Sequence, residues 1–269
     1  MTLSLPPLAN PHRAPLRARP NRNGVVLYEG PSMIDGRPIV VIVTGLDDDS
    51  DNLKTGAMLQ SFIMRQDVSP SEAIKTGEDS SVCGTCIHRP LLAAETGEPR
   101  CYVTVFQAPR SVWQCWTRGG YRMATAADRV LLSGLSFRFG TYGDPAAAPV
   151  EAWPNTPRKR TGYSHLWQSE VAAPYKAQVM ASVDSGLEYL KARAAGWRSF
   201  RVEDNPYNPM MPGEIVCPAS EEGGKRATCD TCGLCNGNPH EGRSRVPASV
   251  RILDHSTKGR ARNRRLALA

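Results

Sequence analysis

The first regular pattern of the chain begins at residue 24, where β-branched and aromatic residues form short runs. The runs VVLYEG and RPIVVIVTG, joined by a turn that contains proline and glycine, predict two strands. A further run, MLQSFIMR, predicts a third strand. The segment SPSEAIKTG then predicts a helix, with Ser69 as its N-cap and Gly77 after its last turn. We therefore expect a β-rich N-terminal segment over residues 24–80.

Strand-like and helical patterns alternate farther along the chain. Apolar runs in GLSFRFGTYGDP, TGYSHLW, AQVMASVDS and WRSFRV predict strands, and AAAPVEAW predicts a short helix. Ser185 and Gly196 bracket a longer helix. Alternating strands and helices are typical of β-α units with a parallel sheet. We predict an α/β fold, a partial (βα) TIM-like barrel over residues 81–210, followed by a cysteine-rich metal-binding segment and a final strand over residues 211–255.

Three polar residues stand where consecutive predicted strands end, namely Asp144, His165 and Asp184. Chemistry in parallel sheets gathers at the carboxyl ends of the strands, so these residues are the catalytic candidates. Each also has a structural interpretation. Asp144 could start a helix, His165 could pack in the core, and Asp184 could be a second cap for the helix that follows.

Composition is that of a globular protein. Of the 269 residues, 41% are hydrophobic and 22% are charged, and no apolar run is long enough to cross a membrane. Prolines interrupt the N-terminal stretch where a signal peptide needs an apolar segment. We therefore expect a cytoplasmic protein, without a membrane partner, whose cysteines are reduced and available as ligands.

The net charge of +7 is concentrated at the two ends of the chain. Residues 1–23 and 256–269 contain nine basic residues and no acidic ones, so residues 24–255 are slightly acidic. We expect a disordered basic arm over 1–23 and a basic tail over 256–269. Such segments bind nucleic acids through phosphates, although solvated basic termini without a partner are also common. The basic residues are Arg13, Arg17, Arg19, Arg22, Lys258, Arg260, Arg262, Arg264 and Arg265.

Seven of the eight cysteines fall into two groups with metal-ligand spacing. Two cysteines separated by two residues can bind one metal because the turn between them directs both sulfurs inward. The sulfurs suit either zinc or a 4Fe–4S cluster, and the sequence does not choose between them. The early group is Cys83, Cys86 and Cys101, with His88 as a candidate fourth ligand. The late group is Cys217, Cys229, Cys232 and Cys235.

The order of these motifs resembles the radical SAM enzymes. Shared features are a cysteine group, a helix, a strand that ends in Gly143-Asp144-Pro145, and a later strand that reads MASVDS. The resemblance implies a 4Fe–4S cluster on Cys83, Cys86 and Cys101, and S-adenosylmethionine as a cofactor. It also implies that Gly143 and Asp144 contact the methionine part and that Ser182 and Asp184 line the pocket floor. The late cysteines are similar to auxiliary cluster sites of that family.

A second likeness is to phage gene products of unknown activity, which share the KTG, CY, Gly-Asp, SVD and CP…CxxCxxC motifs over residues 50–240. It implies the cytoplasm of a host cell as the location. The early cysteines depart from the usual C-x3-C-x2-C spacing of the radical SAM enzymes, because their spacing here is C-x2-C-x14-C. Two hypotheses follow: an iron–sulfur enzyme that modifies a nucleic acid or another phage or host component, or a zinc-stabilised nucleic-acid-binding protein without catalysis.

Overall fold

One continuous sheet of ten strands organises the protein. The computed structural model describes residues 10–47, 53–95, 101, 103–155, 159–238 and 248–254. The order across the sheet is β4-β1-β2-β3-β5-β6-β7-β8-β10-β9. In chain order the strands are β1 (Gly24–Pro31), β2 (Pro38–Thr44), β3 (Leu59–Arg65), β4 (Arg122–Met123), β5 (Ser136–Tyr142), β6 (Lys159–Ser164), β7 (Met180–Val183), β8 (Ser199–Glu203), β9 (Glu214–Val216) and β10 (Ser249–Leu253).

The predicted β-rich segment forms the antiparallel part of the sheet. β1 pairs with β2, and β2 pairs with β3, both antiparallel. These strands are almost fully buried because their β-branched and aromatic side chains pack on both faces. β3 then pairs with β5 in parallel, so the N-terminal segment and the following β-α units share one sheet.

The remaining strands confirm the predicted parallel α/β arrangement. β5, β6, β7, β8 and β10 pair in parallel, and the final strand β10 lies between β8 and β9. Among the described residues the sheet is open, with β4 and β9 at its edges, and no strand pairing closes a barrel. No described helix is long and apolar enough to span a membrane.

Short helices connect the strands and begin where the sequence predicts. Ser69 and Ser185 each accept a hydrogen bond from the backbone N–H three residues later, which caps α1 and α6. The predicted helix in AAAPVEAW is wrong. Pro149 interrupts the segment, and 3-10 turns form instead at Pro145–Ala147 and Val150–Ala152. The helices are α1 (Pro70–Thr76), α2 (Ser80–Cys83), α3 (Pro90–Glu95), α4 (Ala108–Thr117), α5 (Ala126–Ser133), α6 (Gly186–Ala194) and α7 (Cys229–Cys232), with a further 3-10 helix at Glu170–Tyr175.

The core packs against one face of the parallel strands. Phe137 and Phe139 of β5 lie on this face, and the Phe139 ring centroid is 4.8 Å from that of Trp153. Side chains alternate along a strand, so Arg138 projects from the opposite face. That opposite face is covered partly by the cysteine-rich segment, and it borders the cavity described below.

Part of the predicted N-terminal arm contacts the end of α4. Its described part, from residue 10 onward, pairs with the segment after α4, because the backbone N–H groups of Ala14 and Arg17 donate to Thr117 O and Gly119 O at 2.8 and 3.0 Å. The prediction of a disordered arm over 1–23 is therefore corrected for this part. Residues 1–9 and the basic tail over 256–269 lie outside the described residues.

Candidate metal centres

The early cysteine pair occupies a rigid loop after α2. Cys83 is the last residue of that helix, and the Cys86 N–H donates to Cys83 O at 3.2 Å. Arg89 lies below the loop, where its guanidinium donates to Gly84 O at 3.0 Å and to Asp79 Oδ1 at 2.8 Å. Asp79 is 1% exposed, so this ion pair is buried. The loop conformation is thus stabilised before any metal binds.

The structure brings Cys101 to the same place as Cys83 and Cys86. Burial, followed by the charges of Cys86, Asp79, Cys101 and Asp144, raises the pKa of Cys83. Burial is also the main reason that the pKa of Cys86 rises to about 12. All eight cysteines are free thiols. Thiols with such pKa values are protonated at neutral pH, so a metal that binds here must displace protons.

His88, His165 and Asp184 form a compact cluster beside these cysteines. His88 Nε2 lies 2.8 Å from Asp184 Oδ1, and His165 Nε2 lies 3.8 Å from Asp184 Oδ2. The two imidazole rings meet edge to face, with centroids 5.4 Å apart. Burial lowers the pKa of His165 to about 4, so its ring is neutral at pH 7. The contact with Asp184 means that the Nε2 atom of His88 faces a carboxylate rather than the cysteine sulfurs.

Asp144 is bound on all sides by the protein. Its Oδ1 accepts from the Ala146 N–H at 3.0 Å, which caps the 3-10 turn. Its Oδ2 accepts from Ser164 Oγ at 3.1 Å and from the backbone N–H groups of His165 and Leu166 at 2.8 and 3.3 Å. Burial raises its pKa to about 6 despite these hydrogen bonds. The contacts are those of a structural carboxylate that joins the ends of β5 and β6.

The two other predicted cofactor residues lie near this edge of the sheet. Gly143 has a φ of +84°, and a Cβ there would come within 2.8 Å of Ile63 in β3. Glycine is needed because the strand end passes this close to the neighbouring backbone. Ser182 is buried on β7, opposite Phe200 of β8. Its role in cofactor binding stays a prediction.

The late cysteines gather around a second point. Cys217 follows β9, Cys229 and Cys232 begin and end α7, and Cys235 follows the αL residue Gly233. Burial raises the pKa of Cys235 to about 12, with further contributions from the charges of Cys229, Cys217 and Cys232. All four side chains border one cavity of about 20 Å³. That these cysteines bind one metal stays a prediction.

Main-chain contacts stabilise the late cysteine loop. The Cys229 N–H donates to Lys54 O at 2.8 Å, and the Cys217 N–H donates to Arg251 O at 2.9 Å. Arg198 is buried and donates to Leu234 O at 2.7 Å, next to Cys235. These contacts join the loop to the segment before β3, to β10 and to β8.

The separation of the sulfurs is informative about the metal. Among the described residues, the one set of three donor groups whose ligand atoms all lie within 4.8 Å of each other is His88, His165 and Asp184. Zn–S bonds of about 2.3 Å in a tetrahedron place sulfurs roughly 3.8 Å apart. Neither cysteine group has three sulfurs that close together in this structure.

Sequence reasoning missed the residues that support the site. Arg89 follows the CGTCIH motif directly, and Asp79 lies four residues before Cys83, but no local signal shows that they pair. The Tyr163 hydroxyl is hydrogen-bonded to the Cys235 side chain, whereas the sequence indicates only that Tyr163 lies in a strand. These contacts arise from packing rather than from spacing.

Comparisons with known proteins give no match: no protein-family model, curated protein sequence or solved structure is similar to the chain. The function is therefore argued from the two cysteine sites and their surroundings.

Proposed function

We propose that the protein is an iron–sulfur enzyme, radical-SAM-like in its organisation, with a reactive cluster on Cys83, Cys86 and Cys101. The observation that carries the proposal is the convergence of these cysteines with His165 and Asp184. The cysteines come from the α2 loop and from the segment before α4, whereas the other two residues follow β6 and β7. Reactive centres of parallel α/β proteins are found at this edge of the sheet.

The position of His88 favours a three-cysteine cluster over a Cys3His zinc site. His88 contacts Asp184 instead of completing a Cys3His tetrahedron. Cys83, Cys86 and Cys101 would hold the cluster, which would supply single-electron chemistry when bound. The protein's own contribution is to position the substrate and to exclude water.

The late cysteines would hold a second metal group in this proposal. Four ligands leave no open position, so the group would stabilise the segment between β9 and β10. Free thiols are consistent with a reducing cytoplasm.

The residues around Asp144 do not fit the role that the resemblance implies for S-adenosylmethionine. Asp144 is 6% exposed and already accepts four hydrogen bonds. A ligand ammonium would have to displace protein donors to reach it. The proposal therefore rests on the cluster ligands, and no step of it depends on this cofactor.

Metal analysis of anaerobically purified protein tests the proposal. We expect brown protein that contains iron and acid-labile sulfide. Cys86→Ser should remove the iron of the early site, and Cys232→Ser should remove the iron of the late site. Cys115→Ser is the matched control, because Cys115 lies in α4 outside both groups and should leave both metal contents unchanged.

Colourless protein with stoichiometric zinc would overturn the proposal and favour the zinc-stabilised nucleic-acid-binding alternative. In that case the basic termini would be the partner-binding elements. Iron that survives both serine substitutions would equally contradict the assignment of ligands.

A further inference from the structure

A large cavity lies on the face of the sheet opposite the main hydrophobic core. Its volume is about 970 Å³, and its walls come from β3, β5, β6, β8, β10 and the cysteine-rich segment. Ligand pockets in proteins have volumes of about 300–1,000 Å³, so the space suits an organic molecule of substantial size. Cys229 is part of the wall, which places the cavity next to the late metal site.

Aromatic rings form one wall of this cavity. The Tyr163 and Phe200 rings have centroids 4.2 Å apart and planes at 36°. Both residues line the cavity, as does Phe62 of β3, but Phe200 and Phe62 are buried, so Tyr163 is the ring that presents surface to the cavity. Their side chains project from adjacent parts of the sheet, and the Tyr163 hydroxyl is fixed by Thr161 Oγ1 at 3.2 Å. A flat heterocycle can stack on such a surface with a favourable energy that depends little on its substituents.

The charged groups of the cavity are mostly positive. Lys54, Arg138, Lys225 and Arg226 line it, and the only acidic residue among its lining residues is Glu221. Lys225 Nζ is 3.3 Å from Glu221, so these two charges offset each other. Arg138 is half-buried, and within the described residues its guanidinium makes no salt bridge and no hydrogen bond. An arginine in this state can bind a phosphate with two parallel hydrogen bonds.

We propose that this cavity binds a nucleotide, with the base against Tyr163 and a phosphate at Arg138. The inference goes beyond the proposed function, because the cavity borders Cys229 of the late cysteine group and is not lined by Cys83, Cys86 or Cys101. Thr104, Thr141 and Gln107 also line the cavity and offer hydrogen bonds to a sugar or a base edge. The nucleotide can be a free molecule or one unit of a single strand, since both present the same chemistry.

Calorimetric titration of the full-length protein as purified tests the proposal. The probes are deoxyadenosine monophosphate, deoxyadenosine, inorganic phosphate and a short single strand of deoxyadenylate. We expect the nucleotide to bind at least tenfold more tightly than the nucleoside or phosphate alone. Arg138→Gln should weaken nucleotide binding about tenfold or more while leaving nucleoside binding unchanged, and Arg138→Lys should restore part of the loss. Tighter binding of the single strand than of the free nucleotide would identify a nucleic acid as the source.

Two further variants separate specific binding from general effects. Tyr163→Leu should weaken nucleoside and nucleotide binding equally, because it removes the half-buried ring on which the base stacks and leaves the cation in place. Arg37→Gln is the matched control, since Arg37 is exposed on the turn between β1 and β2 and should bind nucleotide as the unmodified protein does. Circular dichroism at the titration temperature verifies that each variant is folded.

Several results would overturn the inference. One is nucleotide binding no tighter than phosphate binding, and another is unchanged affinity in Arg138→Gln. Loss of metal in Arg138→Gln with unchanged nucleotide affinity would instead assign Arg138 to the neighbouring thiol of Cys229, where burial raises the pKa and the charge of Arg138 opposes that rise. Metal content is measured separately, so protein that contains the clusters but binds no nucleotide would contradict this inference and leave the proposed function intact.

Discussion

Asp144→Asn tests whether the carboxylate at the end of β5 is a buried structural group or a ligand-binding group. Burial raises the pKa of Asp144 from 3.8 to about 6. The folded protein therefore holds this proton more tightly than the unfolded chain does. Asp144 stabilises the fold most below pH 3.8, and this contribution is lost as the pH rises through about 6. Asparagine does not titrate, so the difference between the two proteins isolates the effect.

The expected magnitude follows from the size of the shift. A shift of about 2 pKa units corresponds to about 3 kcal/mol between the acidic and neutral limits. Only part of this change in the free energy of unfolding falls in a pH range in which the protein is readily maintained in its folded form. Between pH 5 and pH 8 we expect the free energy of unfolding of the unmodified protein, relative to Asp144→Asn, to fall by about 1.4 kcal/mol.

Urea denaturation followed by circular dichroism at pH 5, 6, 7 and 8 measures this difference, with metal content determined at each pH. Asp128→Asn is the control. The pKa of Asp128 is lowered, mainly by a hydrogen bond from Arg122. Its carboxylate is therefore ionised above pH 5 in both the folded and the unfolded protein. The free energy of unfolding of the unmodified protein, relative to Asp128→Asn, should not vary between pH 5 and pH 8. A difference that rises with pH in Asp144→Asn would show that a cation or a ligand ammonium faces this carboxylate, and would refute the reasoning.

Three other substitutions test the supports of the two sites. Cys232→Ser should lower both the metal content and the melting temperature, because metal binding at a structural site also contributes folding free energy; full metal content with unchanged melting contradicts this. Arg89→Ala should cost about 3–5 kcal/mol in urea denaturation, because it leaves Asp79 buried without its partner, and a loss below about 1 kcal/mol would show that the pair is dispensable. Gly143→Ala should be less stable than Gly36→Ala by about 1–3 kcal/mol. Both glycines have a positive φ, but only at Gly143 would a Cβ collide with a neighbouring strand. Equal stabilities of the two variants would argue against a tight contact at Gly143.

Local signals in the sequence were enough for most of the secondary structure. The β-branched runs before residue 66 become β1, β2 and β3, and the caps at Ser69 and Ser185 form as expected. These features depend on contacts within a few residues, so short patterns contain the necessary information. The short helix predicted in AAAPVEAW does not form, and the reason is also local, because Pro149 interrupts the helical hydrogen bonding.

The placement of candidate residues was partly open to sequence reasoning. Asp144, His165 and Asp184 were expected at one edge of a parallel sheet because they follow consecutive strands, and the structure places them there. Their individual roles were not accessible. Whether Asp144 has a free oxygen depends on donors from residues about 20 positions away, and these become neighbours only when β5 and β6 pair.

Tertiary structure alone decided the contacts between distant segments. His88 meets Asp184 across 96 residues, and Arg89 and Asp79 pair beneath the cysteine loop. β10 inserts between β8 and β9, so residues near the end of the chain line the same cavity as Arg138 and Tyr163. No periodicity or spacing encodes such contacts, because they result from the packing of whole elements and not from the conformational preferences of neighbouring residues. The sequence thus determined which elements and candidate ligands are present, and packing determined which of them lie close together.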